Sequence, residues 1–258
     1  MLPEVINHQR HMYVVKSNKM VRDFKFELSA REWKMMNFFI SEIKPGDDGK
    51  AEYTYSIRKF CAVCGIRYRE NFSSVKETVK ALRDKSLWIQ APDGRETLVS
   101  WIEKVSIFPN TDKITVRFDQ DVTPYLVNLR EQGNFTQYEL FAVLGFKCKF
   151  SFRFYELFKS WESYGYWLVE IQQLKNILLI KKNYPKFSDF RRYVLDLAID
   201  EINTHTELNV DYSTVLSGRK IDSLAFTIKR KEHFDGQYLN VLKALGECED
   251  SSTEDEDA

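Results

Sequence analysis

The stretch KFSDFRR carries three cations and a hydroxyl, Lys186, Arg191, Arg192 and Ser188, set around two phenylalanines three residues apart. Residues of this kind grip anions. A guanidinium fork can bond guanine O6 and N7 together. A hydroxyl at a helix start can cap the helix, and the start itself favours phosphate. A second cluster, Ser217-Gly218-Arg219-Lys220, sets two cations at a glycine turn between alternating runs. A third and more dilute set is Arg69, Asn71, Ser73, Ser74, Lys76 and Lys80, broken by Glu70 and Glu77. Its mixed charge suits contacts to a phosphate backbone more than the reading of bases.

Bond-making chemistry finds little here. Cys61-x-x-Cys64 has no second pair to complete a zinc site, and Cys64 falls on an apolar stripe, so packing is the expectation. PGDDGK at 45–50 lacks the GxxxxGK[ST] spacing of a phosphate loop and reads as a turn. The histidines, His8, His11, His205 and His233, form no His-x-His cluster, and His8 and His11 sit near a terminus expected to be mobile. Asp200 and Glu201 are adjacent and point to different sides of a helix. No catalytic constellation, metal or cofactor is expected.

The formal net charge of zero conceals a division. Residues 232–258 hold one lysine against nine acids, a net of −8, leaving 37 basic against 29 acidic residues, +8, in residues 1–231. A basic body suggests a polyanionic partner, and the acidic tail reads as disordered. No apolar run approaches the length of a membrane span. MLPEVINHQRH lacks an apolar signal core, and four cysteines in 258 residues make no disulfide framework. A cytoplasmic protein with no membrane partner is expected.

The elements that must position these clusters recur. Segment 29–44 opens on a capping box, Ser29-Ala30-Arg31-Glu32, and then places Trp33, Met36, Ile40 and Ile43 at helical spacing. The last three reappear 114 residues on as Phe150, Phe154 and Leu157. Ile57, Phe60, Val63 and Cys64 reappear at the same offset as Ile171, Leu174, Ile177 and Leu178. Short strand-like runs, YTYS and YWLVE, lead into each. Phe72, Val75, Val79 and Leu82 reappear at an offset of 115 as Phe187, Phe190, Val194 and Leu197. After each third helix the apolar period falls to 2. SLWIQ, the turn APDG, TLVSWIEKVSIF, the turn PNTD and KITVRF follow in the first half. LNVDYSTV, the turn SGRK and IDSLAFTIKR follow in the second.

Each half therefore reads helix, strand, helix, helix, β-hairpin, the order of a winged helix. The fold class is α+β and helix-rich, with two tandem winged-helix domains related by internal pseudo-symmetry. The expected division is 1–131 for the first domain, with an N-terminal arm, 132–231 for the second and main DNA-reading domain, and 232–258 for the tail. In the second half the third helix, from about Ser188 to Thr204, turns Phe190, Val194, Leu197, Ala198 and Ile202 inward. That leaves Lys186, Ser188, Arg191 and Arg192 at the end that usually enters a groove, with Ser188 as candidate cap.

The chain resembles the initiator Rep proteins of iteron-type bacterial plasmids. The resemblance lies in VVKSNKM at 14–20, FELSAREWKMMNFFISEI, YELFAVLGFKCKFSFRFYELFKSW and, most specifically, KFSDFRRYVLDLAIDEINTHTELNVDYSTVLSGRKIDSLAFTI. It spans roughly residues 10–230 and does not extend to the acidic tail. It implies a bacterial protein with two winged-helix domains that binds double-stranded DNA at origin repeats as a monomer. It also implies help in opening the origin, recruitment of the host initiator and replicative helicase, and a homodimer, formed through a surface of the first domain, that represses its own gene. A plain winged-helix repressor and a nicking initiator enzyme are the alternative readings.

Overall fold

The structure, a computed structural model, describes residues 3–44, 46, 47, 49, 51–90, 94–129, 133–180, 184, 186–232, 241–243, 245 and 246. The expected boundary between 131 and 132, most of the acidic tail, and parts of PGDDGK and APDG lie outside those residues.

The capping box forms. Ser29 Oγ accepts from the Glu32 backbone N–H and the Glu32 carboxylate accepts from that of Ser29, satisfying two otherwise open donors. It starts helix α3 (Ala30–Ser41), which follows α1 (Pro3–Arg10), strand β1 (Tyr13–Ser17) and α2 (Asn18–Asp23). Strand β2 (Tyr53–Ser56) runs straight into α4 (Ile57–Val63), capped by Ser56, and α5 (Tyr68–Asp84) follows. Then come β3 (Ser86–Gln90), β4 (Glu96–Ser100), β5 (Ile102–Ile107), β6 (Lys113–Phe118) and β7 (Phe135–Glu139). The second half has α6 (Phe141–Leu144), α7 (Lys149–Trp161), β8 (Tyr166–Glu170), α8 (Ile171–Ile177) and α9 (Phe187–Phe190). A π-helical turn (Arg191–Leu195) leads without a break into α10 (Asp196–His205), and the hairpin β9 (Leu208–Ser217) and β10 (Lys220–Arg230) completes it.

Two antiparallel three-stranded sheets, β2-β6-β5 and β8-β10-β9, occupy equivalent places. The repeat holds to the residue. Ser56 pairs with Lys113 and Tyr53 with Val116, while Glu170 pairs with Ser223 and Trp167 with Phe226. The turns match as well. Gly65 has φ +65° and Leu179, 114 residues on, has φ +48°. In each case the next N–H reaches back to close the helix, Ile66 to Cys61 O at 2.9 Å and Ile180 to Lys175 O at 3.0 Å. A left-handed conformation is natural for glycine and unusual for leucine, so only the first copy advertises its turn.

Three expectations are corrected. The run TLVSWIEKVSIF is two strands, not one: β4 pairs with β3, and β5 with β6. The buried doublet Trp101-Ile102 breaks the alternation and carries the chain from one sheet to the other. The N-terminal segment is a docked helix. Gln9 and Arg10 are buried, Arg10 donates to Val63 O at 3.0 and 3.1 Å, and Gln9 donates to Ser41 Oγ. Leu197 is half exposed, not on the core stripe, because the π turn inserts one residue. Beyond Val194 the buried helix positions are Leu195, Ala198, Ile199 and Ile202, so Ala198 takes the place expected of Leu197 while Ile202 faces inward as expected.

The two halves share one continuous core. Trp33 of α3 stacks on Phe152 of α7 at 5.7 Å and 4°. Beside it lies a buried polar seam. Lys16 Nζ donates to Asn37 at 2.8 Å and Glu156 at 2.5 Å, and Tyr138 OH donates to the same Glu156 oxygen at 2.5 Å.

Candidate nucleic-acid interface

In the second half all six expected residues are exposed. Lys186, Ser188, Arg191 and Arg192 are exposed at the start of the α9–α10 rod, and Arg219 and Lys220 are exposed on the β9–β10 hairpin. Phe190 and Val194 anchor the rod in the core, and half-buried Phe187 packs at its entry, 6.3 Å from Phe190. Ser188 is not the cap. The helix begins one residue earlier than expected, with Lys186 at the cap position and no side-chain cap bond. The Lys186 carbonyl already accepts from Asp189 N–H at 3.1 Å, which leaves the Ser188 hydroxyl outward.

Charge is graded along this rod. Its first turns carry Lys186, Arg191 and Arg192 around a half-buried Asp189, whereas Asp196 and Asp200 are exposed further along. This grading favours an anion at the first end over the second. The Arg192 guanidinium lies over the Tyr193 ring at 5.5 Å, and Tyr193 is itself exposed. The hairpin tip is a two-residue turn, since Ser217 pairs with Lys220, and Gly218 has φ +62°. Its strands rise from a buried base at Leu208 and Val210 to an exposed tip from Ser213 onward, as a projecting wing requires.

In the first half the expected set divides. Arg69, Ser73, Lys76 and Lys80 are exposed on α5. Asn71 and Ser74 are half-buried and engaged by Arg31 of α3: Ser74 Oγ accepts from its guanidinium, as does Asn71 Oδ1 at 3.5 Å, while Asn71 donates to Arg67 O at 2.8 Å. These two side chains tie α5 to α3. The hairpin tip here, Phe108-Pro109-Asn110, carries no cation. A groove of about 490 Å³ between it and α5 is lined by Arg58, Tyr68, Phe72 and Lys76. Arg58 lies 5.0 Å over Tyr68 and was not among the expected residues. Its place one residue past the start of α4, just after the Ser56 cap, was readable as the equivalent of Gln172.

Cys61 and Cys64 are free and buried, and burial pushes the Cys64 thiol up to about 12, far from the thiolate a metal needs. No group of three or more His, Cys, Asp or Glu among the described residues could hold a metal ion. Among the same residues no helix is long and apolar enough to cross a membrane.

Two family models match in tandem: "Initiator Replication protein, WH1" over residues 13–159 and "Initiator Rep protein, WH2" over residues 170–228. The chain belongs to the initiator Rep family. Among curated members, the "PI protein" of Escherichia coli is 29% identical over 192 residues, a match covering 65% of this chain and 63% of that one. A "Replication initiation protein" of Escherichia coli is 20% identical over 235 residues, covering 87% and 72%. Among solved structures, that of the Pi initiator protein in complex with iteron DNA has the same fold. Its TM-score is 0.72 at 21% identity, over 87% of this chain and 99% of that one. For this Rep-family chain the two winged-helix domains are thus established twice, by the family models and by the in-register repeat of sheets and turns.

Proposed function

We propose that this chain is a sequence-specific replication initiator that binds the repeats of a plasmid origin and acts by binding and deforming DNA, without covalent catalysis. One observation carries the reading. The second helix-turn-helix offers Lys186, Ser188, Arg191 and Arg192 on an exposed helix start beside a wing tipped by Arg219 and Lys220. The Pi initiator protein, a fold relative, is seen in complex with iteron DNA. In the first domain Arg69, Ser73, Lys76 and Lys80 serve phosphate contacts. The division proposed remains 1–131 and 132–231, with main base reading in the second domain.

Two such helices on one pseudo-symmetric chain reach successive major grooves about one turn, roughly 10 bp, apart. Footprinting the purified chain on origin repeats should protect two adjacent turns of one face. If about six phosphates are neutralised, affinity should fall roughly a thousandfold between 50 and 200 mM salt. Protection confined to half a turn, or an affinity indifferent to salt, refutes the reading. Supplying the chain in trans to an origin plasmid separates an initiator from a repressor. Replication must follow, together with the recruitment of host initiator and helicase that the reading includes.

The reading also includes a homodimer. Among the described residues the hairpin β3–β4 has no counterpart in the second half, and it exposes a cross-strand pair, Trp88 opposite Leu98, each about half accessible. This is the apolar surface the first domain offers a second copy. Trp88→Glu should shift sedimentation toward monomer; an unchanged distribution removes the hairpin from that role.

A further inference from the structure

We infer that Arg191 is the base-reading arginine and that Asp196 and Tyr212 are the residues that aim it. The inference deepens the proposed function and rests on it. Asp196 stands five residues after Arg191. In a regular α-helix two such residues point about 140° apart and do not meet. Here the segment is a π turn, in which the Asp196 N–H bonds to the Arg191 carbonyl, so the fifth residue lies beneath the first. Asp196 Oδ2 consequently comes to 3.6 Å from Arg191 Nε. Its other oxygen, Oδ1, accepts from Tyr212 OH at 2.9 Å. Tyr212 is fixed at the base of the wing, paired with Phe226 across the sheet with its ring 5.9 Å from that of Phe226.

The carboxylate thus bridges the recognition helix and the wing, and it faces the Nε edge of the guanidinium. That leaves the two Nη groups, the fork that fits guanine O6 and N7. A flexible arginine must lose rotamer freedom to make such a contact, and one held beforehand by an anchored anion loses less. Among the described residues Arg192 has no such support; its guanidinium rests on Tyr193 at 5.5 Å, and its role is the phosphate contact. The first domain lacks the device. The residues equivalent to Arg191 and Asp196 are Lys76 and Lys80, two cations on a helix without a π turn.

The test uses the full chain and a random-sequence duplex library, from which the preferred site is selected for wild type, Arg191→Ala, Arg192→Ala, Asp196→Asn and Tyr212→Phe. Affinities are then measured on the wild-type consensus duplex and on a scrambled duplex at one ionic strength. Arg191→Ala should erase preference at one G·C pair, costing about fivefold or more on the consensus. Asp196→Asn and Tyr212→Phe should weaken preference at that same pair. With Asp196→Asn, affinity for the scrambled duplex should hold or rise, because an anion has left the face. Arg192→Ala should lower both affinities together. If Arg191→Ala erases a position while both Asp196→Asn and Tyr212→Phe keep it, the aiming role is wrong and the helix reading stands. If Asp196→Asn lowers both affinities alike, Asp196 only supports the fold and the inference is overturned. If Arg191→Ala leaves every preference intact, the reading of this helix as base-reading fails first.

Discussion

Replacing Lys16 by methionine should destabilise this chain far more than an ordinary surface charge change. Lys16 and Glu156 are both about 1% exposed, come from the two halves of the chain and meet at 2.5 Å. At that distance, and an effective dielectric near 20, their attraction is about 7 kcal/mol, against a desolvation cost of several kcal/mol for each ion. The intact pair therefore contributes little net stability. Burial lowers the Lys16 pKa in spite of Glu156, which is the same cost seen from the proton's side. Removing one partner is different. Glu156 would keep the Tyr138 hydroxyl on Oε1, while its Oε2 already lacks a hydrogen-bond partner. A buried carboxylate without its cation costs about 3–5 kcal/mol. Glu156→Gln alone strands the Lys16 ammonium at a similar cost, whereas the double variant Lys16→Met with Glu156→Gln removes both members of the pair, leaving the buried Arg153 guanidinium without the Glu156 charge that favours it, and should be less destabilised than the two single costs added. Urea unfolding of all four proteins, read as a double-mutant cycle, gives the coupling directly. A Lys16→Met cost under about 1 kcal/mol, or a double variant as unstable as the two singles added, would refute the assignment of this seam as a charged pair.

Other consequences are simpler to state. Leu195→Ala should cost about 2–5 kcal/mol in unfolding experiments, whereas Leu197→Ala should stay within about 0.5 kcal/mol, since the π turn buries the first and exposes the second; comparable costs would place the insertion elsewhere. Burial, reinforced by Lys147 and Lys34 and opposed by Glu201 and Asp200, lowers the His205 pKa. Its neutral form is favoured in the fold, so stability is fully present above the ordinary imidazole value near 6.5 and declines as pH falls through it toward the lower folded value. His205→Gln should flatten that part of the profile of thermal midpoint against pH, and an unchanged acid limb would falsify the linkage.

The repeat was legible because it is written in apolar positions, which tertiary packing leaves in place. Ile57, Phe60, Val63 and Cys64 and their partners 114 residues on lie on matching helices, and even the αL turn recurs at Gly65 and Leu179. Polar engagements over long distances in sequence were not legible. Nothing near Asn71 or Ser74 announces that Arg31, some 40 residues earlier, will hold both. Nor does a helix as polar as PEVINHQR announce that Gln9 and Arg10 will be buried. The division of TLVSWIEKVSIF lay between these cases. The doublet Trp101-Ile102 interrupts the alternation, a signal available to anyone who treats two adjacent apolar residues as a change of sheet.

The π turn is the instructive failure. Counting by 3.6 treats a helix as a fixed ruler, and an inserted residue has no composition of its own to betray it. It shows only when the two copies are laid together. Phe187, Phe190 and Val194 keep the offset of 115 from Phe72, Val75 and Val79, but Leu82 corresponds to Ala198, one residue further on. An added residue inside a helix disturbs its hydrogen-bond ladder, and π turns concentrate at functional sites. The place where the two halves fall out of step is also where Arg191, Arg192 and Asp196 stand. A departure from local regularity at a site of function is where sequence reasoning should be expected to break. In this chain the broken register is therefore itself an argument that the second domain, rather than the first, reads the bases.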